Sequence, residues 1–138
     1  AVADWKPAWK PSSITVMFAG SPGQVYVYGP NASFGPLLAR SLTQVTERNL
    51  GNPGGFLPYE RLGSVDADLV LVIDPYPGDS RKTLDDFFAN PVIQSLESTK
   101  KNRFVRLDEE TSYAFLVPSA VSIPIALKGL GEVLERTK

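Results

Sequence analysis

Five consecutive aliphatic residues, Leu69-Val70-Leu71-Val72-Ile73, stand between Asp68 and Asp74. The run is too short for a buried helix and lacks the alternation of a half-exposed strand, and it is rich in β-branched side chains. A strand buried on both faces fits it. Such strands belong to parallel sheets covered by helices, and the loops beyond their carboxyl ends are where chemistry collects.

The flanking sequence supplies what such a sheet needs. Ser13 to Ala19, SITVMFA, reads as a second buried strand. Gly20-Ser21-Pro22-Gly23 turns the chain, and Gln24 to Tyr28 alternates valine and tyrosine as a short edge strand or extended lip would. Gly29-Pro30-Asn31 ends that segment, and Ser33 caps a helix over 34–42 with Leu37, Leu38, Ser41 and Leu42 on one side. Three glycines and two prolines make 49–58 a loop with Phe56 as its exposed aromatic. A short helix carrying Glu60 and a turn at Asp66-Ala67-Asp68 lead into the central strand.

Beyond it, Asp74-Pro75-Tyr76-Pro77-Gly78-Asp79 is a rigid loop, and Ser80 caps a helix to about Ala89 with Leu84, Phe87 and Phe88 facing inward. Pro91 interrupts that helix, and Val92, Ile93 and Leu96 make one further turn. Lys100-Lys101-Asn102 is a polar turn, and Arg103 to Leu107 is a third strand nearer an edge. Residues 108–118 read as a loop, and 119–136 as an amphipathic helix with Pro124 in its first turns. Residues 1–12, broken by Pro7 and Pro11, form a connector or a remnant of a longer helix. The alternation implies right-handed crossovers in a three-layer α/β/α sandwich with a mainly parallel central sheet, a Rossmann-like lobe over 13–138.

At 138 residues, with 43% hydrophobic and 21% charged residues and a net charge of -1, the chain has the size and balance of one globular domain. That charge points to no nucleic-acid partner. With neither cysteine nor histidine present, disulfides, thiol nucleophiles, histidine bases and Ser-His-Asp triads are excluded. No apolar run approaches the ~20 residues of a membrane span. No signal peptide is present at Ala1, so for an exported protein the signal is expected upstream.

Three phrases in order carry a family likeness. Asp66-Ala67-Asp68 precedes an aliphatic strand, Asn90-Pro91-Val92-Ile93-Gln94-Ser95-Leu96 follows, and Lys101-Asn102-Arg103-Phe104-Val105-Arg106-Leu107-Asp108 comes next. With the SITVMFA strand, the tyrosine-rich lip and the SFGPLLARSL helix, this order resembles the C-terminal lobe of siderophore and cobalamin ABC-transporter substrate-binding proteins. The resemblance implies a non-enzymatic lobe of a two-lobe protein working outside the cytoplasmic membrane. Such a protein is periplasmic or extracytoplasmic, free or as a membrane-anchored lipoprotein. It further implies an N-terminal lobe upstream, an iron chelate held in the interlobe cleft, and delivery to a membrane permease. No intrinsic cofactor or protein metal ligand is needed, because a ferric siderophore holds its own iron; haem and cobalamin are the alternatives.

The loops on the cleft side present Tyr26, Tyr28, Phe56, Tyr76, Tyr113 and Phe115. Aromatic rings give rigid contact area, and a tyrosine adds a hydroxyl for a chelate or a haem propionate. The same residues can instead be lids over the core, with Val25 and Val27 turned to solvent. The resemblance gives Glu60 the role of a permease-docking carboxylate; a solvated helix glutamate is the alternative. Asp66 and Asp68 read as turn caps. Asp108-Glu109-Glu110 reads as a solvated acidic loop rather than a cation site. The glycines at 20 and 23 lack the spacing of a phosphate loop. Two rival functions are a small α/β enzyme, for which no catalytic constellation is visible, and a stand-alone interaction or oligomerisation module.

Overall fold

A computed structural model describes residues 11, 13–21, 23–28, 54–73, 77–117 and 119–137. Its strands are β1 (Ile14–Ser21), β2 (Gln24–Tyr28), β3 (Gly54–Pro58), β4 (Leu69–Ile73) and β5 (Phe104–Arg106). They form one sheet in the order β3-β2-β1-β4-β5. β1 runs parallel to β4, and β4 to β5, whereas β2 is antiparallel to both β1 and β3. The parallel part, β1-β4-β5, is thus extended by the antiparallel strands β2 and β3.

The aliphatic run is the buried strand that its composition demands. All five residues of β4 are buried, Leu69, Leu71 and Ile73 in one core and Val70 and Val72 in the other. The first core joins Ile14, Val16, Phe115, Leu130 and Leu134 beneath α4 (Glu109–Leu116) and α5 (Ser122–Thr137). The second joins Met17, Val25, Val27, Leu57, Leu62 and Phe87 beneath α1 (Pro77–Ala89), α2 (Pro91–Gln94) and a 3-10 helix over Tyr59–Val65. The layers are those of an α/β/α sandwich.

Several local expectations are corrected. β2 is not an edge strand, because β3 pairs along its whole length. That strand occupies Gly54–Pro58, where glycine and proline suggested a loop; pairing with β2 supplies the hydrogen bonds that composition alone does not promise. The edge falls on β3 instead. Tyr59 N–H reaches Gly23 O at 3.2 Å, so by the antiparallel alternation Leu57 also bonds β2, and Pro58, which has no N–H, faces the open side. The first turn is tighter than expected, since β1 continues through Gly20 and Ser21 and Gly23 carries the left-handed φ of 81°.

The acidic segment after β5 is a helix rather than a loop. Asp108 Oδ1 accepts from Thr111 N–H at 2.7 Å, and Glu109 and Glu110 occupy the first turn, where the helix dipole favours carboxylates. Asp66 bonds its own turn, Oδ1 accepting from Ala67 N–H at 3.1 Å, and also caps across the fold, Oδ2 accepting from the N–H groups of Glu97 and Ser98 at the start of α3 (Glu97–Lys100). Lys100 therefore ends a helix rather than opening a turn. Ser80 lies inside α1, which begins at Pro77, whereas Asn90 caps α2 through Val92 N–H. A reciprocal pair of bonds between Ser119 and Ser122 opens α5. Gly129 of α5 lies so close to α4 that a Cβ there would collide with Thr111. The expected connector at 1–12, save Pro11, and the helix at 34–42 lie outside the described residues.

Candidate functional site: an aromatic platform on the sheet

The alternation in β2 separates two kinds of side chain. Val25 and Val27 are fully buried against Met17 and Leu57, so Tyr26 and Tyr28 take the opposite face. Phe56 of β3 stands directly across from Tyr26. The Tyr26 ring meets Tyr28 edge-on at 5.0 Å and Phe56 edge-on at 5.3 Å. Gly54 is the residue directly opposite Tyr28. The two tyrosines are half-buried and Phe56 is 58% exposed. Three sequence-predicted residues are thereby assembled into one group, held by edge contacts, with Phe56 exposed and Tyr28 packed against the first core.

Tyr113 lies elsewhere, on α4, 56% exposed over a concavity of 640 Å³ that it lines with Asp108, Glu109 and Glu110. Among the described residues that lining holds three carboxylates and no cation. Farther along the chain Val117 and Val121, the latter 77% exposed, are apolar side chains in water that sequence reasoning missed. Valines flanking a Pro-Ser step carry no signal that separates a contact surface from an ordinary loop. A larger cavity of 770 Å³ lies beside the end of β5, between α4 and α5, with Leu107, Thr111 and Val133 in its lining and Arg106, Glu132 and Arg136 among its charges.

Phe115 is corrected from ligand contact to core. It is fully buried on the inner side of α4 with Ile14, Leu71 and Leu130. Once 109–116 is helical, Tyr113 and Phe115 lie about 200° apart around its axis and cannot share a face. Tyr76 lies outside the described residues.

Glu60 is exposed on the 3-10 helix, over the sheet face opposite the platform. Leu62 and Val65 anchor that helix in the core. Tyr59, beside Glu60, packs its ring against Phe87 at 5.3 Å. Burial pushes the Tyr59 phenol above its usual 10.0; a backbone hydrogen bond at Gly23 opposes this, and the charge of Asp86 adds to it. Among the described residues no cluster of three or more carboxylates is placed to hold a metal ion, and no helix is long and apolar enough to cross a membrane.

No family model matches the chain, and a search of curated proteins finds no match. Solved structures do match. A periplasmic solute binding protein from Mycobacterium smegmatis superposes with a TM-score of 0.74 at 20% identity, over 93% of this chain and 42% of its own. The siderophore periplasmic binding protein of the fuscachelin gene cluster of Thermobifida fusca gives 0.71 at 21% identity, over 98% and 46%. FhuD2 from Staphylococcus aureus with bound ferrioxamine B gives 0.65 at 18% identity, over 91% and 48%. These neighbours are binding proteins rather than enzymes, and the chain spans less than half the length of each. The chain has the fold of a lobe of the FhuD-type periplasmic binding proteins, consistent with the C-terminal lobe that its sequence resembles.

Proposed function

We propose that this chain is the C-terminal lobe of an ABC-importer substrate-binding protein, occupying 13–138, with 1–12 the end of the interlobe connector. It captures a ferric siderophore between itself and an N-terminal lobe outside the cytoplasmic membrane, and delivers it to a permease through Glu60. The observation that carries this reading is the edge-packed group of Tyr26, Tyr28 and Phe56, with Phe56 exposed, on a fold whose solved neighbours include siderophore-binding proteins. Rigid rings offer a chelate wide contact at small entropic cost, and the phenol hydroxyls supply hydrogen bonds to its oxygens. The carboxylates around Tyr113 favour a neutral or cationic chelate over a polyanionic one. A lobe of this kind needs no metal ligands of its own, since the iron arrives already chelated.

The test is quenching of tryptophan and tyrosine fluorescence in the full-length protein by ferrioxamine B, ferric enterobactin, haem and cobalamin, repeated with Phe56→Ala. Saturable quenching by a ferric siderophore, weakened by the substitution, supports the reading. Saturation by haem or cobalamin alone moves the ligand to those classes, and no saturation by any of the four sinks a chelate-binding role.

A further inference from the structure

Exposure alone does not make Glu60 a good docking contact. The 3-10 helix beneath it is seven residues long, and such helices hold their shape poorly unless fastened from outside. Here both ends are fastened. At the front, Tyr59 N–H donates to Gly23 O and the Tyr59 ring packs on Phe87. At the rear, the hydroxyl of Thr15 donates to the carbonyl of Val65, the last helical residue, whose oxygen has no acceptor role left inside the helix. The next residue, Asp66, is tied in turn to Ser98, whose hydroxyl donates to the Asp66 carboxylate at 2.5 Å.

Thr15 is the anomaly among these groups. It is fully buried in β1 between Ile14 and Val16, and Met17 and Ala19 share its face of the strand. Valine has nearly the same shape and would fill the space equally well, so packing does not account for the hydroxyl. The one service it performs there is the bond to Val65, across a sequence separation of 50. A carboxylate held in one direction before docking loses less freedom on binding than one that must be ordered by its partner.

We propose that Thr15 is a positioning residue for Glu60: its buried hydroxyl fixes the rear of the 3-10 helix and so sets where the docking carboxylate points. The inference rests on the permease-docking reading of Glu60. It is tested in the full-length protein with its own permease reconstituted in nanodiscs. Docking affinity is measured for wild type, Thr15→Val, Thr15→Ser, Glu60→Gln and the Thr15→Val, Glu60→Gln double variant, and amide hydrogen exchange is followed over 59–65.

Thr15→Val is expected to weaken docking roughly threefold to tenfold and to speed exchange over 59–65 while β4 stays protected. Thr15→Ser, which keeps the hydroxyl, restores both. In the Glu60→Gln background Thr15→Val adds no further loss, an outcome that general destabilisation would not give. Equal fractional losses in the two backgrounds, or docking weakened by Glu60→Gln but untouched by Thr15→Val, overturn the positioning role alone. Docking indifferent to Glu60→Gln overturns the reading beneath it.

Discussion

Two groups of aromatic rings lie on opposite faces of the sheet with similar spacing, the Phe87 contacts being mostly tilted and the Tyr26 contacts edge-on. On one face Phe87 meets Tyr59, Phe88 and Phe104 at 5.3 to 5.8 Å; on the other Tyr26 meets Tyr28 and Phe56 at 5.0 and 5.3 Å. Their surroundings differ. Phe87 lies wholly inside a core roofed by α1, whereas Phe56 is more than half exposed. Similar ring spacings therefore occur within a buried cluster in one place and beside an exposed ring in the other. Burial, more than ring spacing, separates the two groups.

The largest effect expected from that contrast is at Phe87. Truncation to Ala removes the centre of the buried cluster and should cost about 3–5 kcal/mol, read as a fall in urea midpoint, and chelate affinity in the surviving folded fraction should stay unchanged. Phe56→Ala should do the reverse. Affinity falls by about 1–2 kcal/mol in the quenching titration, and thermal stability moves little because the ring is already mostly in water. If Phe56→Ala unfolds the lobe instead, the platform is part of the core and the contrast collapses.

Asp108→Ala sharpens the comparison at the second concavity. Loss of the α4 cap should cost about 1 kcal/mol in denaturant unfolding, and loss of one carboxylate should narrow the preference for cationic over polyanionic chelates in competition titrations. The smallest effect concerns Tyr59, whose phenol is held above 10.0 in the folded state. The unfolded chain releases that proton first, so its contribution to stability is complete below the unfolded value and is lost as pH rises through the folded one. Melting temperature above pH 10 should therefore decline more steeply for wild type than for Tyr59→Phe.

Much of this lobe was legible in the chain because its strongest signals are unambiguous. An all-aliphatic run bounded by aspartates can hardly be anything but a central strand, and β1 was found by the same argument. Two elements were hidden by composition. Gly-Gly-Phe-Leu-Pro, with two glycines and a proline around one strand-favouring Phe, has little strand propensity of its own and becomes a strand through hydrogen bonds to β2. Asp-Glu-Glu-Thr looked like a solvated acidic loop, although an Asp cap followed by two acids is also how a helix starts. That error carried Phe115 into the site, since only a helical phase shows that it and Tyr113 point apart. For Tyr26 and Tyr28 the valine-tyrosine alternation announced two faces without saying which was inward. The apolar residues opposite Val25 and Val27, supplied by other strands, decided it.

The parallel join between β1 and β4 has a further consequence, for the time the lobe takes to form. Asp68 N–H donates to the Ser13 hydroxyl across 55 positions, at the point where the two strands begin to run side by side. The β1–β2 hairpin can close locally, but the core of the sheet waits on this long closure, whose entropy is lost before any contact repays it. Folding in milliseconds to seconds, rather than the microseconds of a helical bundle, is the expected pace for such a topology, with the hairpin in place before β4 arrives.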